Sequence, residues 1–181
     1  LLGRSVSSSN STLLQGLAML AAFPLTSACS RDMAAASITD ATSVTPLTKL
    51  PETWRTLVSD PAYKVLFEED TERPNSSELN HEHHDGHYVC AACYLPLFES
   101  AHKFESGTGW PSFTQPIAGH VGLRRDFKLI LPRTEYHCAR CTGHQGHLFT
   151  DGPPPRKERW CNNGLALRFI PKDKPLPALR S

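Results

Sequence analysis

The sequence has almost no charge at its start and no surplus of either sign along its length. Only Arg4, Arg31, Asp32 and Asp40 ionise in residues 1–48, while the other 33 of the 37 Lys, Arg, Asp and Glu side chains follow them. A net charge of +1 lacks the positive field that binding to a phosphate backbone needs, and it provides no polyanionic face either. Nucleic acid is therefore excluded as an expected partner. A bilayer-spanning helix needs about 20 apolar residues. Residues 13–25 (LLQGLAMLAAFPL) are uncharged but supply only 13. No internal repeat of strand and helix is present, and the Pro153-Pro154-Pro155 run is too short to serve as a polyproline ligand. What remains, with 39% hydrophobic and 20% charged residues in 181, is a soluble globular chain with one core.

The head reads as an address. Arg4 precedes the uncharged run, and the small residues Thr26, Ser27 and Ala28 follow it before Cys29. That order fits an export signal cleaved after Ala28 or around 34–36. Cys29 behind Leu-Thr-Ser-Ala is similar to a lipoprotein box, so lipid anchoring at Cys29 is a variant of the same reading. A Ser/Thr-rich extension or an organelle transit peptide is the alternative, with the organelle or cytoplasm as destination.

Beyond a linker that runs to Leu50, Pro51-Glu-Thr-Trp54 sets an early helical turn. Asp60 followed by Pro61 is expected to cap a helix whose apolar face is Tyr63, Val65, Leu66 and Phe67. Residues 71–80 (TERPNSSELN) read as loop. Short β-rich runs broken by Gly and Pro then follow at 88–90, 96–98, 121–123, 127–131, 134–138, 147–150 and 165–170. That spacing predicts antiparallel sheets.

Of six cysteines, four form two CxxC pairs, Cys90/Cys93 and Cys138/Cys141, with 44 residues between the pairs. Each CxxC turn points two thiolates one way, and two facing turns make the closed tetrahedral set that a structural zinc prefers. Disulfides, or a dithiol redox pair, are the other readings of the same residues. Tyr94 and Thr142 follow the pairs where a small residue, often glycine, would ease the tight turn.

Cys161 has no sequence partner. In Arg159-Trp-Cys-Asn-Asn163 an extended backbone would put Arg159 and Asn163 on the thiol's face, a cation to favour thiolate and an amide to orient a polar group. A buried, inert cysteine is the competing reading. Gly143-His144-Gln-Gly-His147 follows the second CxxC directly, so whatever organises those cysteines also fixes two imidazoles. They are candidates for proton donation or, less well supported by HxxH alone, for a second metal. The cluster His81, His83, His84 and His87 reads as a solvated loop. Ser106-Gly-Thr-Gly-Trp110-Pro-Ser-Phe113 has the glycines and proline of a rigid loop on which Trp110 either walls an apolar pocket or packs in the core.

Taken in order, these motifs resemble the B-type methionine sulfoxide reductases, the peptide-methionine (R)-S-oxide reductases. The resemblance runs from about Pro51 to Pro171. It is carried by TERP at 71–74, YVCAAC at 88–93, PLF at 96–98, KFESGTGWPSF at 103–113, RTE at 133–135, CARC at 138–141, GHxGHxF at 143–149, DGPPP at 151–155 and RWCNN at 159–163. This chain departs from the family pattern at Gln145, where leucine is usual, at Trp160, commonly tyrosine, and at Asn162, usually apolar.

The resemblance implies a mainly β, α+β fold of two antiparallel sheets with short N-terminal helices. It implies one structural Zn2+ per chain on Cys90, Cys93, Cys138 and Cys141, and Cys161 as the nucleophile toward methionine-R-sulfoxide in proteins or peptides. Trp110, with Phe149, would hold the substrate methyl, and His144, His147 and Asn163 would surround the sulfoxide oxygen. Arg159 would lower the thiol pKa. Cys161 would be left as sulfenic acid, which a thioredoxin-like or other thiol reductant restores. Two-cysteine relatives carry a second thiol where this chain has Thr108 or Ser76, so Cys29 is the only internal candidate for resolution and an external thiol is the favoured one. The expected organisation is an export signal or flexible extension over 1–48, the reductase domain over 49–175 and a tail over 176–181, in a monomer. A zinc-knuckle binding or chaperone module with an inert Cys161, and a thiol enzyme acting on small thiol adducts, are the alternatives. Reduction of a methionine-R-sulfoxide separates the three.

Overall fold

The computed structural model describes residues 44–126 and 132–181, which belong to one unit spanning Thr39–Ser181. The head with Cys29, and the strand expected over 127–131, lie outside the described residues. Two short helices open the described chain, α1 (Pro51–Leu57) and α2 (Asp60–Glu68). Pro51 and Pro61 sit in their first turns, where a missing N–H costs nothing. The cap of α2 is Ser59, one residue before the expected Asp60, because its hydroxyl accepts the Ala62 N–H at 3.4 Å. The helix buries Ala62, Tyr63, Val65 and Leu66, and Phe67 stacks on Trp54 of α1 with ring centroids 5.1 Å apart.

Nine strands follow: β1 (Gly86–Cys90), β2 (Pro96–Glu99), β3 (Lys103–Phe104), β4 (Ser112–Phe113), β5 (Val121–Asp126), β6 (Arg133–Cys138), β7 (His144–Phe149), β8 (Arg159–Asn162) and β9 (Leu167–Pro171). They form two antiparallel sheets, one ordered β2-β1-β9 and one ordered β3-β4-β8-β7-β6-β5. The fold is thus two antiparallel sheets with two short helices at the N-terminal side. The sheets meet through aromatic rings. Phe98 stacks on Phe113 at 4.1 Å, and Tyr88 and Tyr136 meet that pair edge-on. Among the described residues no helix is long and apolar enough to cross a membrane.

β7 starts at His144, three residues earlier than the pattern suggested. Residues 144–147 are therefore part of the ladder. The reason is Gly146: a Cβ there would lie 1.9 Å from the Cys161 carbonyl oxygen, so only glycine lets β7 and β8 pair at this point. At the other end of the motif set, Gly164–Ala166 forms a 3-10 turn and β9 begins only at Leu167.

Both cysteine turns share one backbone pattern. The Tyr94 N–H donates to Cys90 O and the Thr142 N–H to Cys138 O, each at 3.0 Å. Tyr94 and Thr142 take the left-handed φ values, 65° and 59°, that glycine would adopt without strain. Tyr94 has compensation at hand. Arg180 lies over its ring at 4.1 Å, and donates to the carbonyls of Ala92 and Leu57, both at 2.9 Å. The end of the chain is thereby tied to the first cysteine turn and to the end of α1.

Candidate active site and metal centre

The four paired cysteines come from the two turns and are buried together, with all sulfurs within 4.8 Å of one another. Cys90 Sγ is 3.6 Å from Cys141 Sγ, and Cys93 Sγ is 3.5 Å from Cys138 Sγ. A disulfide would require about 2.05 Å. Four sulfurs at about 2.3 Å from a central zinc would stand about 3.8 Å apart, close to what the turns present. The ionisation chemistry also favours a cation. Burial pushes the Cys90 thiol up, while hydrogen bonds from Cys138, Cys141 and Cys90 pull Cys93 down, so uncompensated protein cannot hold four thiolates here. The donor set fits a closed structural metal site, and Cys161 takes no part in it.

Cys161 lies on β8 directly opposite His147 of β7, with Ser112 of β4 on its other flank. It is half-buried and lines a cavity of about 240 Å³ whose walls include Trp110, Phe149, His147, Arg133 and Asn163. Trp110 is held there by donating from Nε1 to the Glu72 carbonyl at 3.2 Å. The cavity joins two aromatic walls to one thiol, one imidazole, one guanidinium, one hydroxyl and two asparagines, a combination suited to a small apolar group carrying a polar oxygen.

Arg159 is on the face of the thiol, as strand alternation requires, but it is fastened elsewhere too. Its Nε and Nη2 donate to the two carboxylate oxygens of Asp151 at 2.8 and 2.9 Å, and its guanidinium lies 4.2 Å from the centre of the Phe149 ring. Burial pushes the Cys161 thiol up. The Arg159 charge and hydrogen bonds from Thr108 and Arg159 pull it back only in part, so the resting thiol stays above its ordinary value. The expected lowering by Arg159 is real in direction, but burial of the thiol outweighs it.

The two histidines occupy different places. His147 is on the cavity wall, with its Nε2 2.9 Å from Asp126 Oδ2, and Asp126 is also bonded by Arg133 at 2.7 Å. A carboxylate only accepts, so the Nε2 proton points to Asp126 and Nδ1 is the ring atom left for a ligand. Burial, with the Arg133 and His144 charges, holds the His147 pKa below the imidazole range despite Asp126. His144 does not reach the wall expected of it. It is buried behind His147, with its ring 5.4 Å from the His147 ring and its Nδ1 2.7 Å from Glu135 Oε1. Burial raises Glu135, but its bonds from Arg124 and His144 prevail and hold it below the usual carboxylate range.

Asn163 borders the cavity but is committed to the framework. Its Oδ1 accepts the Glu72 N–H at 3.1 Å, and its Nδ2 donates to the Gln145 carbonyl at 3.1 Å. It can offer the cavity one amide hydrogen. Glu72 was overlooked in the sequence, yet it organises this corner. It positions Trp110 and Asn163 through its backbone, and its buried carboxylate accepts the N–H groups of Gly164 and Leu165 at 2.6 and 2.8 Å. Burial pushes its pKa up. Asp151, Asp126 and Thr108 were also missed as working groups. Glu72, Asp151 and Thr108 lie inside TERP, DGPPP and KFESGTGWPSF, but motif membership says nothing of which atom they face.

The histidine-rich segment 81–87 stays apart from this site. His83 and His84 approach only Glu105 and Glu82, and among the described residues the four cysteines are the only group arranged to hold a metal ion.

Residues 58–171 match the SelR domain, which spans every site residue described above. A peptide methionine sulfoxide reductase MsrB of Bradyrhizobium diazoefficiens is 52% identical over 125 residues, 68% of this chain and 90% of that protein. Proteins of the same description from Thiobacillus denitrificans and Pseudomonas entomophila are 48% and 45% identical, covering 66% and 69% of this chain and 92% and 96% of theirs. The family match, the paired cysteine turns and the thiol facing an imidazole lead to one assignment: the chain belongs to the MsrB family of peptide methionine sulfoxide reductases, a family of oxidoreductases.

Proposed function

We propose that this chain reduces methionine-R-sulfoxide in oxidised proteins and peptides, with Cys161 as nucleophile and His147 as proton donor. The observation that carries the reading is the pairing of Cys161 with His147 across β7 and β8, both lining a cavity with Trp110 and Phe149.

The step balances as follows. The Cys161 thiolate attacks the sulfoxide sulfur, the sulfur–oxygen bond breaks, and the oxygen passes to the Cys161 sulfur with one proton from His147. Methionine leaves, and Cys161 remains as sulfenic acid. The substrate sulfur is reduced by two electrons and the cysteine is oxidised by two. One external thiol then displaces water to form a mixed disulfide, and a second thiol, as in a thioredoxin-like dithiol, releases Cys161. Asp126 holds the His147 tautomer, His144 with Glu135 supports the ring from behind, and Trp110 receives the methyl. A methyl against Trp110 and an oxygen toward His147 and the Asn163 amide leave one handedness of sulfoxide facing the thiolate, which supports R selectivity.

The four-cysteine cluster would hold one zinc as a structural element that contributes folding free energy. Residues 1–48, with their uncharged run before Cys29, are proposed as an export signal ahead of the reductase domain. The deciding experiment supplies dabsyl-methionine-R-sulfoxide and its S epimer to the dithiothreitol-treated protein. Reduction of the R epimer alone is the expected result, and equal rates or no turnover would overturn the reading.

A further inference from the structure

Gln145 and Asn162, two of the positions at which this chain departs from the family pattern, are both fully buried and bonded to one another. Asn162 Nδ2 donates to Gln145 Oε1 at 3.4 Å. Gln145 points its other end at the cysteine cluster, where Nε2 donates to Cys90 Sγ at 3.7 Å and to the Gly143 carbonyl at 3.4 Å. Asn162 Oδ1 accepts from the Tyr136 hydroxyl at 2.7 Å, and its Nδ2 also donates to the Asn163 carbonyl at 2.8 Å. The Gln145 carbonyl accepts both the Asn163 N–H at 2.8 Å and its Nδ2. A polar path thus runs through an apolar core from a sulfur of the cluster to the two neighbours of Cys161 on its C-terminal side.

The path has one consistent direction. A thiolate at Cys90 only accepts, so the Gln145 amide must turn its N–H toward sulfur and its oxygen toward Asn162. Asn162 must answer with its own N–H, which leaves its oxygen for the Tyr136 hydroxyl. If the Cys90 sulfur moves from the position in which a bound metal would hold it, the first of these bonds lengthens and the orientation of the rest is no longer enforced. An apolar pair at 145 and 162 would carry no such information. Without Asn162 the buried Gln145 side-chain oxygen would lose the donor it has here, whereas Asn162 would keep the Tyr136 hydroxyl and the Asn163 carbonyl, so it is the Gln145 amide that requires the pair.

We propose that Gln145 and Asn162 form a buried amide bridge that couples occupancy of the four-cysteine site to the placement of Cys161 and Asn163. The proposal rests on reading Cys90 as a metal-bound thiolate and Cys161 as the reacting thiol. Both amides are positioning residues. Groups that orient metal ligands in this way carry roughly tenfold or more in metal affinity, and coupling between two sites is reciprocal.

The test uses the full chain as Gln145→Met, Asn162→Leu and the double variant, with Gln145→Leu, the residue usual there in the family pattern, serving where Gln145→Met does not fold, since it likewise removes the donor toward Cys90. Zinc loss to a chelating dye should be roughly tenfold faster in each single variant, and no faster in the double variant than in the faster single one. In cobalt-substituted protein the sulfur-to-cobalt absorption should shift with Asn162→Leu, although Asn162 does not touch a cysteine sulfur. Stripping the metal should change the rate of Cys161 alkylation by iodoacetamide in the native chain and much less in Gln145→Met. Additive single effects, or an Asn162→Leu protein with native zinc loss and native cobalt spectrum, would overturn the bridge. A native chain that retains no zinc would instead overturn the metal reading beneath it.

Discussion

His147 and Cys161 face each other as a register pair of adjacent antiparallel strands, and Gly146 beside His147 is what allows those strands to approach. Thiol and imidazole are therefore held by backbone ladder bonds rather than by a loop, the kind of rigid support that a reaction sensitive to small displacements needs.

Replacing the reacting sulfur should end turnover without disturbing the fold. Cys161→Ser is nearly isosteric at a half-buried position that is not one of the four clustered cysteines. Zinc content and thermal midpoint should stay near native while sulfoxide reduction falls to background, measured by epimer-resolved chromatography.

His147→Gln should lower kcat by about 10²–10⁴-fold, the range for loss of a positioned proton donor. Alkylation of Cys161 by iodoacetamide needs no proton delivered to oxygen, so it should survive, and parallel loss of both rates would contradict the assigned role. The pH dependence has a definite sign. Burial holds His147 below and Cys161 above their ordinary values, so the reactive thiolate–imidazolium form is a minority species between the two. The kcat/KM profile should be a bell, rising as pH climbs through the lower macroscopic pKa and falling as it passes the upper.

Arg159→Ala and Thr108→Val should each raise the Cys161 pKa further, because the Arg159 charge and the hydrogen bonds from both side chains favour the thiolate. The alkylation rate should rise with pH later than in the native chain, and Thr108→Ser should restore the native profile. An unchanged profile removes the residue from the mechanism.

Gly146→Ala should be among the most damaging single changes. Its methyl would meet the Cys161 carbonyl oxygen at 1.9 Å, backbone against backbone, which no rotamer relieves. A loss on the order of 4 kcal/mol or more is expected, seen as a denaturant midpoint far below native or as failure to fold.

Metal removal should act on stability before chemistry. Stripping zinc with a chelator, or Cys138→Ser, should lower the thermal midpoint sharply, because burial opposes multiple thiolates without a cation. Elemental analysis should find about one zinc per native chain.

By itself the sequence determined the antiparallel class, the two paired cysteine turns, the isolated Cys161 and its strand neighbours, and the resemblance that joins them. These are properties of local spacing: a CxxC turn directs two sulfurs through its own backbone, and alternation along five residues puts Arg159 and Asn163 on the face of Cys161. Only the tertiary structure decided what each group faces. His144 and His147 have similar sequence surroundings, yet strand register puts one on the cavity wall and the other behind it. Glu72 lies 91 residues from Asn163, and nothing in TERP announces that its backbone holds Asn163 and Trp110 while its carboxylate caps the turn after β8. Gln145 and Asn162 look like two independent departures until pairing of β7 with β8 brings their amides together beside Cys90. Hydrogen-bond partners distant in sequence are set by strand pairing and close packing, and those are properties of the assembled core.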